Sequence, residues 1–160
     1  MEFERRLQKA IQRGQRRNEV RSQEAQLQQL SEEELKRLHV QYRLQLSEHI
    51  EQCLRQLPQH FPGFEYDTIY GERGWGAACR RDDIRMTGGR RSNDYSRLEM
   101  TIRPHSSSQV VELAAKATIR NKEVFNRTHY EKIEDADAAK FIELVDIWVL
   151  EYAEMYAATA

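Results

Sequence analysis

Apolar residues recur with helical spacing between residues 32 and 57. They cover about a third of the helix circumference, which is a stripe wide enough to face a core. The stripe consists of Leu35, Leu38, Tyr42, Leu46, Ile50, Cys53 and Leu57. Ser31 and Glu34 have the spacing of a capping box, which marks a helix start. Because Pro58 lacks the amide hydrogen that would continue a helix, the pattern predicts a helix from 32 to about 57.

The first 30 residues carry a weaker helical pattern. A narrow apolar stripe contains Phe3, Leu7, Ala10 and Ile11. The neighbouring arc is basic and contains Arg5, Arg6, Lys9, Arg13, Arg16 and Arg17. Gly14 and the polar stretch 23–29 make an isolated helix here marginal. We predict that 1–30 is a basic, Gln-rich helical extension that is helical when docked, and that 31–160 is a single domain.

Beyond Pro62 the pattern changes from helical to alternating, which is typical of half-buried strands. Four segments alternate in this way, and they are 64–70, 77–81, 97–103 and 111–120. The last two have one apolar face, and their other face carries opposite charges that can pair across strands. The sequence therefore predicts a four-stranded antiparallel sheet with one face against the core.

Two polar stretches interrupt this alternation. Gly88-Gly89 and Ser92-Asn93-Asp94 indicate a loop over 82–94. Residues 120–130 are predicted to form a hydrogen-bonded connection between the sheet and the last helix.

A final helix is predicted from about 135 to 157. Glu134, Asp135 and Asp137 stand at its start, where the helix dipole favours acids. Its apolar arc is wide enough to lie flat on a sheet and contains Phe141, Leu144, Val145, Trp148, Val149, Tyr152, Met155 and Tyr156. The complete order is α-β-β-β-β-α, so the predicted fold class is α+β: an antiparallel four-stranded sheet flanked by an N-terminal and a C-terminal helix, with both helices mostly on one face.

Size and composition agree with one soluble domain. The chain has 160 residues, of which 32% are charged, and this exceeds the usual fraction of about a quarter. Cys53 and Cys79 show neither a CxxC spacing nor the disulfide framework of small secreted proteins. No export signal and no run of 18 apolar residues is visible. We therefore expect a cytoplasmic protein without a membrane span.

The net charge of −1 is unevenly distributed. Residues 131–160 carry eight acidic and two basic groups, whereas 1–60 carry nine acidic and eleven basic groups. Ile147 and Leu150 lie in the middle of the acidic arc of the last helix, and Val40 and Leu44 lie off the core stripe of the second helix. Apolar groups at such positions are candidates for an interaction surface.

No strong catalytic signature is present. The sequence lacks GxSxG, HExxH, a P-loop and a GxGxxG that opens a helix. His39 and His49 are interpreted as helix-edge residues, and no histidine pair has zinc-like spacing. The sequence predicts no metal and no cofactor. Glu123 and His129 are the weak catalytic candidates for proton transfer, within a segment that can equally be an ordinary connection.

A cluster of arginines and a tryptophan are candidates for phosphate and nucleic-acid binding. The arginines are Arg5, Arg6, Arg13, Arg16, Arg17, Arg80, Arg81, Arg90 and Arg91, and Trp75 is the candidate stacking platform. The alternatives are a solvated charged loop for the arginines and a core position for Trp75. The sequence pI of about 6.5 argues against a dedicated nucleic-acid protein.

Three function classes follow from these patterns. The first is a non-enzymatic protein–protein interaction or scaffold module that forms homodimers or binds another protein. The second is an RNA- or DNA-associated protein that binds phosphates through the basic helix and the 80–91 region. The third is a small enzyme with a polar site around 120–130.

Overall fold

The computed structural model describes residues 2–159, with the backbone alone described at residues 29 and 30. The elements in chain order are helix α1 (Glu2–His60), strands β1 (Glu65–Ile69), β2 (Trp75–Thr87), β3 (Arg90–Ile102), β4 (Val110–Ile119) and β5 (Lys122–Lys132), a 3-10 turn (Ile133–Asp135) and helix α2 (Ala138–Ala158). The strands form one antiparallel sheet in the order β1-β2-β3-β4-β5. The chain comprises two compact units, Met1–Arg37 and Leu38–Ala160. The predicted α+β class with an antiparallel sheet is confirmed.

The core of the unit Leu38–Ala160 lies between one face of the sheet and the two helices. Along β4 every second residue is buried. Cys79, Leu98 and Ala117 of the three central strands are all buried and lie side by side in the strand register. The helices contribute large buried side chains, namely Leu46, Ile50, Leu54, Phe141, Val145 and Tyr152. Since several inward strand residues are alanines, these larger helix residues can pack closely against the sheet.

The prediction of four strands is wrong by one, because residues 122–132 form the edge strand β5 and not a connection. The inward-facing residues of β5 include Phe125, Arg127 and His129. Because two of these three are polar, the sequence does not show the alternation of apolar and polar residues that marks a half-buried strand. The Arg127 guanidinium donates to both carboxylate oxygens of Glu151 on α2, with 2.9 Å between Nη2 and Oε1. This charge-assisted pairing allows a polar side chain to occupy a core-facing position.

The prediction of a loop at 82–94 is also wrong. These residues continue β2 and β3 as a long hairpin that pairs without interruption up to Thr87 and Arg90. Gly88 and Gly89 both have positive φ, 61° and 79°, which is the geometry of a two-residue type I′ turn. Arg85 and Asp94 form an ion pair across the hairpin at 2.8 Å.

The predicted break between the first two helical segments is absent, because α1 runs through Ser31. The helix also continues past Pro58 to His60. Proline cannot donate to the carbonyl of Leu54, and the thiol of Cys79 donates to that oxygen instead, at 3.0 Å. This contact satisfies a buried carbonyl that has lost its backbone donor, so continuation of the helix past Pro58 leaves no unpaired group at Leu54.

The last helix begins three residues later than predicted. Asp137 is its N-cap, and the Asp137 carboxylate accepts a hydrogen bond from the amide of Ala139 at 3.1 Å. The domain boundary expected between residues 30 and 31 stays a prediction, and Met1 and Ala160 lie outside the described residues.

His39 lies in the core rather than at a helix edge, with 2% of its surface exposed. Burial is the main cause that lowers the pKa of its ring, and electrostatic interactions with His105 and Arg43 lower the pKa further. The ring is therefore neutral in the folded protein at neutral pH. Its Nε2 atom has no hydrogen-bond partner among the described residues.

We expect the free energy of unfolding to decrease as the pH falls below 6.5, the ordinary pKa of histidine. In that range the unfolded chain takes up a proton at residue 39 that the folded chain does not, and this favours unfolding. One such group contributes at most about 1.4 kcal/mol per pH unit. Urea unfolding between about pH 7.5 and 5.5 measures the effect, since this interval brackets the titration of histidine. The variant His39→Gln should lose this part of the pH dependence, and parallel curves for the two proteins would contradict the assignment.

Candidate functional site

The packing of α1 against α2 brings together His49, Cys53 and Asp146. His49 and Cys53 stand one turn apart on the same face of α1, and Asp146 reaches them from α2. The Nε2 atom of His49 lies 2.7 Å from Oδ1 of Asp146. The Cys53 sulfur lies 3.5 Å from each of these two atoms. The site is partly accessible, because the side chains of His49 and Asp146 are 24% and 48% exposed.

The protonation of this cluster argues against a reactive cysteine. Burial is the main cause that raises the pKa of the Cys53 thiol to about 12, and the hydrogen bond to Asp146 adds to the shift. A nucleophilic cysteine requires the opposite shift. In addition, Cys53 and Asp146 approach the same ring nitrogen of His49, whereas a catalytic triad uses the two different nitrogens. The cluster therefore does not have the geometry of a cysteine hydrolase.

A groove of about 490 Å³ runs beside the cluster between the two helices. Cys53 and Asp146 form part of its wall. The other lining residues are mostly apolar and comprise Gln56, Leu57, His60, Phe61, Val149, Leu150 and Ala153. Small-molecule sites commonly have volumes of about 300 to 1,000 Å³, so the groove has room for a small ligand.

A second polar region lies on the sheet face that points away from the helices. Glu99 is its centre, with Arg73 at 3.2 Å, Arg97 at 3.7 Å and Lys116 opposite Glu99 on β4. Two shallow cavities of about 280 and 310 Å³ overlap here. The excess of positive charge around one carboxylate can attract an anion.

The charge pairing expected on the polar face is present across β3 and β4. Arg103, which directly follows β3, lies 3.4 Å from Glu112 of β4. Partly exposed pairs of this kind contribute between about 0 and 1 kcal/mol. They fix the arrangement of the charged face more than they stabilise the sheet.

The two catalytic candidates are not brought together. Glu123 is exposed near the start of β5, where a register shift places it opposite Thr118. His129 lies six residues further along the same strand, which corresponds to about 20 Å. The Nε2 atom of His129 forms a hydrogen bond with Oε2 of Glu131 at 2.7 Å, and the ring packs edge-on against Phe141. A catalytic role for either residue stays a prediction.

Arg80 and Arg81 follow each other along β2 and therefore point to opposite faces of the sheet. Arg80 lies 3.5 Å from a carboxylate oxygen of Asp67. Arg81 donates to Asp83 and to the backbone oxygen of Pro62, both at 2.8 Å. These two arginines are thus engaged by different partners and do not form one patch.

The remaining candidates of the hairpin region are arranged differently. Arg90 and Arg91 are exposed at the start of β3, next to the Gly88-Gly89 turn. Trp75 is half-buried, and the Arg43 guanidinium lies 4.0 Å from the centre of its ring. An intramolecular cation–π contact therefore occupies one face of the predicted stacking platform.

In the unit Met1–Arg37 the basic arc is exposed along its whole length. Its members are Arg5, Arg6, Lys9, Arg13, Arg16 and Arg17, and a shallow groove of about 410 Å³ follows four of them. Among the described residues of this unit, the one ion pair is that of Arg6 with Glu2, at 3.6 Å. The adjacent apolar stripe is exposed as well, with Phe3 at 76%, Leu7 at 49% and Ile11 at 51%.

The four candidates for an interaction surface are all at the surface of the unit Leu38–Ala160. Val40 and Leu44 are 37% and 57% exposed, and Ile147 and Leu150 are 47% and 67% exposed. Helical spacing places the latter two in one strip on the outer side of α2. The exposed acids on the same strip are Glu143 and Glu154.

No protein family, no curated protein and no solved structure matches this chain. Within residues 2–159, no helix combines the length and the apolar character that crossing a lipid bilayer requires.

Proposed function

We propose that the protein is a non-enzymatic interaction module that forms a homodimer, in which the N-terminal part of α1 docks on the outer strip of α2 in a second copy. The observation that carries this proposal is the exposure of Phe3, Leu7 and Ile11. Contiguous apolar side chains on a protein surface commonly mark a site that a partner covers. A polar helix of this kind also gains most of its stability from packing rather than from intrinsic propensity.

Charge complementarity supports a second copy as the partner. Two basic arcs facing each other would repel, so the N-terminal helices are poor partners for one another. The outer strip of α2 has the opposite character, since Ile147 and Leu150 lie between Glu143 and Glu154. The strip spans about 16 Å along its helix, and the stripe from Phe3 to Ile11 spans about 12 Å. The strip is therefore long enough to receive the stripe, and the two surfaces carry exposed apolar residues and opposite charges.

A reciprocal exchange closes such an assembly as a dimer. Each copy offers one basic helix and one acidic strip, so two copies related by a two-fold axis satisfy both surfaces at once.

We expect light scattering on a sizing column to give a molar mass of about twice the 19.0 kDa of one chain at micromolar concentration. The double variant Ile147→Arg and Leu150→Arg should elute as a monomer, because it places cations opposite the basic arc. Loss of two central contacts should raise the dissociation constant at least about 30-fold, or about 2 kcal/mol.

The matched control is Val40→Arg with Leu44→Arg, which adds the same charges at exposed apolar positions on α1 and should leave the dimer intact. A monomeric wild-type chain would refute the proposal. A dimer that survives the α2 substitutions would refute this docking surface.

The basic arc favours nucleic-acid binding as a second candidate function. Six cations on one arc with a single carboxylate partner can neutralise a series of phosphates. The same column run distinguishes the two candidates when the protein is purified at low salt without nuclease. Excess absorbance at 260 nm that disappears at high salt would favour the nucleic-acid function.

A further inference from the structure

We propose that His49, Cys53 and Asp146 bind one divalent transition-metal ion, with Zn²⁺ as the preferred ion. The three donor atoms lie within 4.8 Å of one another, and this is the one such group in the part of the chain that the structure describes. The donors come from two helices that the fold holds in place by packing on the sheet. This proposal does not rest on the proposed dimer, although Leu150 of the docking strip also lines the groove beside the cluster.

The distances between the donor atoms fit a tetrahedral zinc ion. Zinc bonds of about 2.3 Å to sulfur and 2.0 Å to nitrogen or oxygen place the sulfur about 3.5 Å from the other two donors. The Cys53 sulfur is 3.5 Å from both His49 Nε2 and Asp146 Oδ1. The distance between His49 Nε2 and Asp146 Oδ1 is 2.7 Å, and it has to increase to about 3.3 Å when both atoms coordinate the same zinc ion. Rotation of the half-exposed Asp146 side chain is sufficient for this adjustment.

The chemistry of the donors selects the ion. Imidazole nitrogen, thiolate sulfur and carboxylate oxygen are the three ligand types of protein zinc sites, whereas Mg²⁺ and Ca²⁺ require oxygen ligands. When the ion binds, the proton of the Cys53 thiol leaves to solvent and the thiolate coordinates the metal. The donor atoms of Cys53 and Asp146 converge on the same nitrogen of His49, and this convergence is compatible with three ligands that share one cation.

The fourth coordination position has access to the groove between the helices, because Cys53 and Asp146 border it. His60 also lines the groove, but it lies seven residues beyond Cys53 and thus about 10 Å further along the helix. His60 is accordingly not in the group of donor atoms that lie within 4.8 Å of one another. Three protein ligands and one open position are characteristic of zinc sites that bind water or a further ligand.

The test uses the full chain after treatment with a chelator. Titration with Zn²⁺ in the presence of a competing indicator should give one ion per chain. Co²⁺ in place of Zn²⁺ should give a thiolate-to-cobalt charge-transfer band in the near-ultraviolet spectrum.

The variants Cys53→Ser and Asp146→Asn should each lower the zinc affinity more than about 100-fold, beyond the effect of losing an outer-sphere partner. The matched control His60→Gln, at a groove residue outside the cluster, should bind zinc as the wild type does.

Two results would overturn the site. The first is a wild-type chain that takes up no stoichiometric zinc. The second is a charge-transfer band that persists in Cys53→Ser, since the thiolate would then belong to Cys79. Asp146→Asn changes a half-exposed side chain without altering its volume, so it keeps the test decisive if Cys53→Ser does not fold.

Discussion

Replacement of Gly76 by alanine should destabilise the unit Leu38–Ala160 by at least about 3 kcal/mol. A Cβ atom at this position would lie 2.0 Å from the carbonyl oxygen of Met100 and 2.9 Å from the Cα atom of Thr101. Both are backbone atoms of the neighbouring strand, so no side-chain rotation relieves the clash. Gly76 is also paired with Ile69 of β1 on its other side. The strand therefore cannot move away from β3 without losing its hydrogen bonds to one neighbour.

Urea unfolding monitored by circular dichroism measures this effect. The matched control is Gly14→Ala, which makes the same chemical change at a site where an added Cβ atom has no neighbour within 4 Å. This control should stabilise its helix locally by about 1 kcal/mol, because alanine has the higher helix propensity. Equal unfolding midpoints for the two variants would contradict the close approach of β2 and β3.

Truncation of Leu46 to alanine should cost about 3 to 5 kcal/mol of unfolding free energy. The Leu46 side chain is fully buried between α1 and the sheet, and its removal leaves a cavity that the surrounding strands can fill only in part. The change also removes three carbon atoms from apolar surroundings, and this transfer is unfavourable by itself.

Leu44 on the same helix provides the comparison, because it is 57% exposed. Leu44→Ala should change the unfolding free energy by less than about 0.5 kcal/mol. The two variants are compared by urea unfolding at one protein concentration. A similar loss in both would mean that α1 does not present Leu46 to the core.

The periodicity of apolar residues predicted the helices and the central strands because their burial is one-sided. Leu98, Met100 and Ile102 alternate with charged and polar neighbours, and each of the three is fully buried. The hairpin beyond Asp82 lacks this signal, since the outer half of β2 is largely exposed on both faces. There the one local indication was Gly88-Gly89, a dipeptide that suits a type I′ turn.

Strand β5 was missed for a different reason. Arg127 occupies a position where an apolar residue is expected, and the residue that makes this acceptable is Glu151, 24 positions further along the chain. Local sequence cannot show such a compensation. It depends on the register of β5 and on the rotation of α2 about its axis.

The candidate metal site shows how far sequence reasoning reaches. The spacing of His49 and Cys53 places them on one helix face, and this much could be seen in the sequence. Asp146 is 93 residues from Cys53, and it completes the group because α1 and α2 pack side by side with one particular axial alignment. A search for short ligand spacings therefore could not find it.

The order of the strands has a consequence for how the chain folds. Every strand pairs with its neighbours in sequence, so each hairpin closes a short loop and can form early at a small entropic cost. The helices are the exception, because the hydrogen bond from Tyr42 to the carbonyl oxygen of Ala136 joins residues 94 positions apart. During synthesis the sheet can thus assemble while its apolar face still awaits α2. Completion of the core therefore requires α2, which follows all five strands in the chain, to cover the part of the apolar sheet face that α1 leaves open.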